Sequence, residues 1–229
     1  MRTETQRALL AERGFRNLEI WPGGVDTGLF RPRGKDALNL PRPISMYMGR
    51  VALEKNLGAF LDLNLPGSPV VIGGGPALER YKRAYPAVHF LGYRHGEELA
   101  RLLSAADVFV FPSLTDTLGL VMLEAMACGV PVAAFPVPGP QDLVVEGGNG
   151  ALDEDLREAV FRALAIPPEH CVDFAAGFSW QRSAERFLEM LVPAATRTGD
   201  SAPETPAYNP DACPYPLPAL KHASTSPWS

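Results

Sequence analysis

The sequence predicts an α/β fold, a doubly wound parallel sheet with helices on both faces. Short apolar runs alternate with segments of helical period over residues 44–191, and most runs end in Gly or Pro where a loop leads into the next helix. That alternation is the pattern of strands buried on both sides and joined by crossover helices. The composition of the 229 residues, 46% hydrophobic and 21% charged, supplies enough apolar surface for such a core. In sheets of this kind ligands bind at the carboxyl ends of the strands, where loops meet helix N-termini.

The elements follow in order. Residues 3–13 predict a helix stopped by Gly14, and a short strand is expected over 17–21. PGGVDTGLFRPRG then reads as a connector, because Gly and Pro punctuate it and no periodicity survives. Residues 1–43 are therefore expected to be the end of an earlier unit and its connector. A sheet domain is expected over 44–192. Its strands are ISMYMG (44–49), PVVIGGG (69–75), VHFLG (88–92), DVFVFP (107–112), PVAAF (131–135) and GALD (150–153). Its helices are expected over 55–63, 77–84, 96–105, 118–128, 154–165 and 180–191, with a turn through Pro138, Gly139 and Pro140. Residues 193–229, rich in Pro, Ser, Thr and Ala, are expected to be disordered.

Charge and cysteine usage exclude several classes of function. A net charge of −5 argues against nucleic acid, whose phosphates call for clustered Lys and Arg. Cys128, Cys171 and Cys213 lie far apart with no ligand spacing, so neither a disulfide framework nor a metal site is expected. No apolar run reaches 18 residues, so no transmembrane segment is expected, and the charged MRTETQRALLAERG lacks a signal peptide's apolar core. A cytoplasmic location follows as the expectation.

The richest stretch is PSLTDTLGLVMLEAMACGVPVAA, residues 112–134. Asp116 and Glu124 stand eight apart around a helix start, with Gly119 between them. Asp116 is expected near the helix N-terminus and Glu124 about two turns in. A glycine lets backbone approach a ligand, and free N–H groups in a first turn favour an anion. The plainer reading has Asp116 as a helix cap and Glu124 as a solvated residue. Gly49-Arg50 and Lys55 put two cations after the first strand, able to grip a diphosphate or simply to be solvated. Gly73 to Gly75 do not form a GxGxxG fingerprint and fit a tight turn as well as a ligand loop. His89, in a strand, is expected to be packed, and His95 to sit in a loop or helix start. Met122 and Met126 read as core. No nucleophile elbow supports hydrolytic chemistry.

Together GR-x3-EKN, VVIGGGP, VHFLG, ADVFVFPS and DTLGLVMLEAMACGVPVAA resemble the family-4 retaining glycosyltransferases, in order and spacing, over residues 44–192. The resemblance implies one Rossmann-like half of a GT-B fold, with GFRNLEIWPGGVDTGLFRP as the end of the first domain. It implies transfer of a mannose- or glucose-class hexosyl group, with retention, from a UDP- or GDP-linked sugar to a sugar or lipid acceptor. It implies no cofactor and no essential metal. By resemblance, Arg50 and Lys55 bind the diphosphate, and Asp116 takes the sugar-side and Glu124 the ribose-side position. Gly119 and Leu120 offer backbone N–H groups. Gly49 and Gly73 lie along the donor site, and the strand end near Phe90 and Leu91 reads the base.

Two departures from the family pattern stand out. Asp116 occupies a position where the family more often has Glu, one methylene longer. Nearly all of the first domain, which carries the acceptor site, is expected to be missing, and catalysis needs the acceptor held against the anomeric carbon with water excluded. Two functions follow: the donor-binding part of a glycosyltransferase that needs a missing or separate acceptor domain, or a non-catalytic nucleotide-sugar-binding or interaction module. An epimerase or dehydrogenase is disfavoured by the lack of a strand-linked GxGxxG. Peripheral membrane association through a lipid acceptor is a further expectation.

Overall fold

A computed structural model describes residues 1–191. The tail expected at 193–229 lies outside the described residues. Six parallel strands form the sheet: β1 (Ile44–Met48), β2 (Ser68–Ile72), β3 (His89–Gly92), β4 (Val108–Phe111), β5 (Val132–Ala134) and β6 (Gly150–Leu152). Their spatial order is β3-β2-β1-β4-β5-β6, so chain direction across the sheet reverses between β1 and β4. The pairing β1–β4 aligns Ser45 with Val108 and Met46 with Phe109.

Alternate strand residues feed two cores. Ile44, Met46, Met48, Val70, Ile72, Phe109 and Phe111 point to one face, and Tyr47, Val71, Val108 and Val110 to the other. The first face is covered by α4 (Gly96–Ala105), α5 (Leu120–Ala127) and α8 (Pro168–Ala176), and the second by α2 (Leu57–Leu61), α3 (Leu78–Ala84) and α7 (Leu156–Ala163). Helix α5, LVMLEAMA, is apolar almost all round because it lies between the sheet and α8: Met122, Leu123, Ala125 and Met126 are all at 0% exposure. Met122 and Met126 are thus core, as expected.

Four elements differ from the sequence expectation. Residues 17–21 form no strand; Trp21 instead donates its ring N–H to the Ser183 carbonyl and packs against Phe187 of α9 (Trp180–Met190), the two rings tilted with 5.1 Å between centroids. With no strand to pair against, their β propensity has no ladder to join. The helix over 55–63 is split into a 3-10 turn, Leu53–Lys55, and α2 by Asn56, whose backbone is left-handed (φ 53°). The turn at 138–140 leads into a short helix, α6 (Pro140–Leu143), started by Pro at its first position. Helix α8 is absent from the periodicity reading because Pro167-Pro168 looks like a loop, yet Pro is tolerated at a helix start. His89 is exposed rather than packed, since β3 is an edge strand with one open face.

The N-terminal helix α1 (Glu4–Glu12) is capped by Thr3 and docks on the loop before α5 and on α6 itself. The Thr5 backbone N–H and hydroxyl donate to the Asp142 carboxylate at 3.1 and 2.8 Å, and the Gln6 amide donates to the Thr117 carbonyl at 3.1 Å. No described helix is long and apolar enough to cross a membrane.

Candidate functional site

A cavity of about 330 Å³ opens at the carboxyl ends of β1 and β4, where the chain direction reverses. This is the crevice at which open α/β sheets bind ligands. Met48, Gly49, Arg50 and Lys55 line it from the β1 side, Phe111 and Ser113 from β4, and Asp116 to Val121 from the loop and first turn of α5. Arg2 closes it from the N-terminal segment.

Local sequence explains the shape of the mouth. Gly119 starts α5 in the left-handed region (φ 76°), and a Cβ there would sit 2.7 Å from Met122 Cε and 3.1 Å from Phe111 Cζ. Only glycine fits both the dihedral and the space. No side chain caps this helix. Its first-turn N–H groups therefore face the cavity with the positive end of the helix dipole. Asp116 is not the cap: it lies in the loop four residues before Leu120, and Glu124 is one turn into the helix rather than two.

Asp116 instead pairs with Lys55, Nζ to Oδ2 at 2.8 Å, with both side chains largely shielded. Its other oxygen accepts the Thr117 N–H at 2.9 Å. Lys55 is aimed across the crevice by Asn56, whose left-handed backbone turns the chain and whose amide donates to the Pro112 carbonyl at 3.0 Å. Arg50 is held by Glu54 four residues on. Tyr47 donates its hydroxyl to the Arg50 carbonyl at 2.9 Å, and burial, with the nearby carboxylates Asp116 and Glu54, pushes its phenol well above the usual range.

Glu124 is half-buried on α5, outside the cavity lining. Burial alone pushes its carboxyl from the ordinary 4.5 up to about 7. Gly73 and Leu91 also fall outside the lining. A Cβ on Gly73 would collide with the Gly49 carbonyl, so its role here is close approach of β1 and β2, and its N–H donates to the Gly92 carbonyl at 2.8 Å. Leu91 is half-buried against the core at the end of β3. Of the residues singled out from the sequence, the cavity thus gathers Gly49, Arg50, Lys55, Asp116, Gly119 and Leu120. Glu124, Gly73 and Leu91 lie beyond it. Among the described residues no cluster of three or more His, Cys, Asp or Glu is arranged to hold a metal.

Residues 43–166 match the family described as glycosyl transferases group 1. The chain belongs to that family. Among its relatives, the sulfoquinovosyl transferase of Arabidopsis thaliana is 36% identical over 147 residues, covering 58% of this chain and 29% of that protein. A GDP-mannose-dependent alpha-mannosyltransferase of Mycobacterium tuberculosis is 34% identical over 158 residues, covering 66% of this chain and 42% of that one. The chain thus spans less than half the length of these two relatives. The crystal structure of Anabaena HepE in complex with UDP superposes with a TM-score of 0.70 over 82% of this chain and 61% of that one, at 20% identity, which shows a shared fold.

The group 1 glycosyl transferase domain is Rossmann-like, half of a GT-B architecture. Sequence reasoning missed Arg2, Tyr47, Ser113 and Thr117 in its cavity. Tyr47 lies in the last half of the first predicted strand and Ser113 directly follows the fourth, so position along a strand was the available signal. Arg2 arrives from a segment far away in sequence and carried no local signal.

Proposed function

We propose that this domain binds the donor of a glycosyltransferase, a UDP- or GDP-linked hexose of the mannose or glucose class, and that the sugar is transferred with retention to a sugar or lipid acceptor. The observation that carries the reading is the single cavity that joins Arg50, Lys55 and Asp116 to the uncapped N-terminus of α5 at the reversal point of the sheet. Fixed cations and helix N–H groups stabilise the charge that develops on a departing diphosphate oxygen.

Arg50 and Lys55 take the diphosphate together with the N–H groups of the first turn at Gly119 and Leu120. Lys55 then moves from Asp116 onto the phosphates, and the released Asp116 oxygen accepts from a hydroxyl of the sugar. Their 2.8 Å ion pair holds both side chains in place until the donor arrives. Glu124 accepts from the ribose, and the nucleotide extends from the cavity along the ends of β2 and β3, past Gly73, to the base near Phe90 and Leu91. Diphosphate charge is neutralised by these side chains, with no cofactor. A relative named for GDP-mannose and a solved neighbour holding UDP support both donor classes. The acceptor is held by a separate acceptor domain, at the cytoplasmic membrane face when it is a lipid.

The test is thermal unfolding of the full chain with UDP, GDP, ADP and their common sugar conjugates. Ligand at 100 times its dissociation constant adds about 2.7 kcal/mol, which moves the melting point of a domain this size by roughly 5–10 °C. A shift with UDP or GDP, but not with ADP, is expected. No shift with any nucleotide overturns the donor site. Incubation of a binding nucleotide sugar with sugar and lipid acceptors then separates transfer from binding alone.

A further inference from the structure

The cations that line the cavity differ in their state. Arg50 is engaged by Glu54 and Lys55 by Asp116, so each sits beside its own countercharge. Arg2 does not. Its Nη1 is buried, with no hydrogen-bond partner among the described residues, and the guanidinium stacks over Trp21 at 5.3 Å from the ring centroid. A buried, unanswered guanidinium nitrogen is costly unless an anion reaches it.

The surrounding backbone holds that nitrogen beside α5. A Cβ built on Gly23 would lie 3.1 Å from Arg2 Nη1, 3.3 Å from Leu118 Cδ2 and in collision with Leu120 Cδ2, so Arg2 packs against the residues that open the helix. The segment is fastened on three sides. Trp21 N–H donates to the Met1 carbonyl at 2.9 Å, Gln6 holds the Thr117 carbonyl, and Thr5 holds Asp142. Trp21 is itself tied to Ser183 of α9.

We propose that Arg2 is a third cationic contact for the ligand's diphosphate, placed beside the first turn of α5 in the cavity that Arg50 and Lys55 also line. This rests on the donor reading given above. The N-terminal segment then forms part of the binding site, and the stack on Trp21 pre-orients the guanidinium so that little side-chain entropy is lost when the anion binds.

Titration calorimetry on the full chain tests this with UDP and GDP, and with uridine and guanosine by competition. Three proteins are compared: wild type, Arg2→Met, which keeps an apolar stem against Trp21, and Arg2→Lys, which keeps the charge. The expected result is a loss of diphosphate affinity of about ten-fold or more in Arg2→Met, a smaller loss in Arg2→Lys, and unchanged nucleoside affinity. Equal losses for diphosphate and nucleoside would make Arg2 a packing residue and overturn the proposal. Undiminished diphosphate affinity in Arg2→Met would overturn it too, while leaving the donor site standing. If wild type binds neither diphosphate, the donor reading falls and Arg2 with it. Should Arg2→Met fail to fold, Arg2→Lys decides: its expected loss must appear for the diphosphates and not for the nucleosides.

Discussion

Replacing Glu124 with Gln is expected to stabilise the chain at pH 8 and to leave its stability unchanged at pH 4. The carboxyl is raised from 4.5 to about 7 by burial, with no charge or hydrogen bond from another residue contributing. Between those two values the native chain holds a proton that the unfolded chain has released. Stability therefore falls as pH rises through that window, and the full cost is present above pH 7. At about 1.4 kcal/mol for each pH unit, the gap corresponds to roughly 3 kcal/mol. Gln is nearly isosteric and carries no charge to desolvate, so it removes this cost. For a domain of this size the melting point at pH 8 should rise by roughly 6–12 °C, with the difference closing by pH 4. Urea unfolding of both proteins across pH 4–8 measures it. A Gln variant no more stable at pH 8, or one equally more stable at pH 4, would refute the account of Glu124 as a desolvated carboxyl. The same variant tests the assigned role. If the ionised carboxylate accepts from ribose hydroxyls, wild-type affinity for a nucleotide sugar, whose diphosphate does not titrate near pH 7, should strengthen as pH rises past 7. Glu124→Gln should bind more weakly and lose that dependence. A side chain that lowers stability at neutral pH is what a binding site built on a buried helix would retain.

Two further outcomes are expected. Lys55→Ala removes a contact proposed for the diphosphate and leaves Asp116 unpaired beside the site, so UDP or GDP affinity should fall by about ten- to a hundred-fold in calorimetry while nucleoside affinity holds; equal affinity for the diphosphate would break the assignment. Gly119→Ala forces a side chain into a left-handed backbone 2.7 Å from Met122 and 3.1 Å from Phe111, and should cost about 2 kcal/mol or more in urea unfolding; a loss under about 0.5 kcal/mol would show that the turn can relax.

The layered α/β architecture is legible in the amino-acid order alone. Strands such as PVVI and VFVF are apolar throughout, which only a sheet covered on both faces accommodates, and their glycine or proline ends mark the side on which ligands bind. The amino-acid order also locates the loop from Asp116 to Leu120 and the cations after β1, because these lie within a few residues of strand ends. What those groups face depends on how the strands are ordered in the sheet. Lys55 meets Asp116, 61 residues on, only because β1 and β4 are neighbours, and no local pattern records that adjacency. Residues 17–21 have the composition of a strand, but they join no sheet and Trp21 and Glu19 contact α9 instead. Glu124 looks like any polar residue on a helix until the packing of α5 in the fold partly buries it and raises its carboxyl. Arg2 enters the site from the far end of the chain. Local propensity is written residue by residue, whereas desolvation and charge pairing depend on which distant segments the fold brings within a few ångströms.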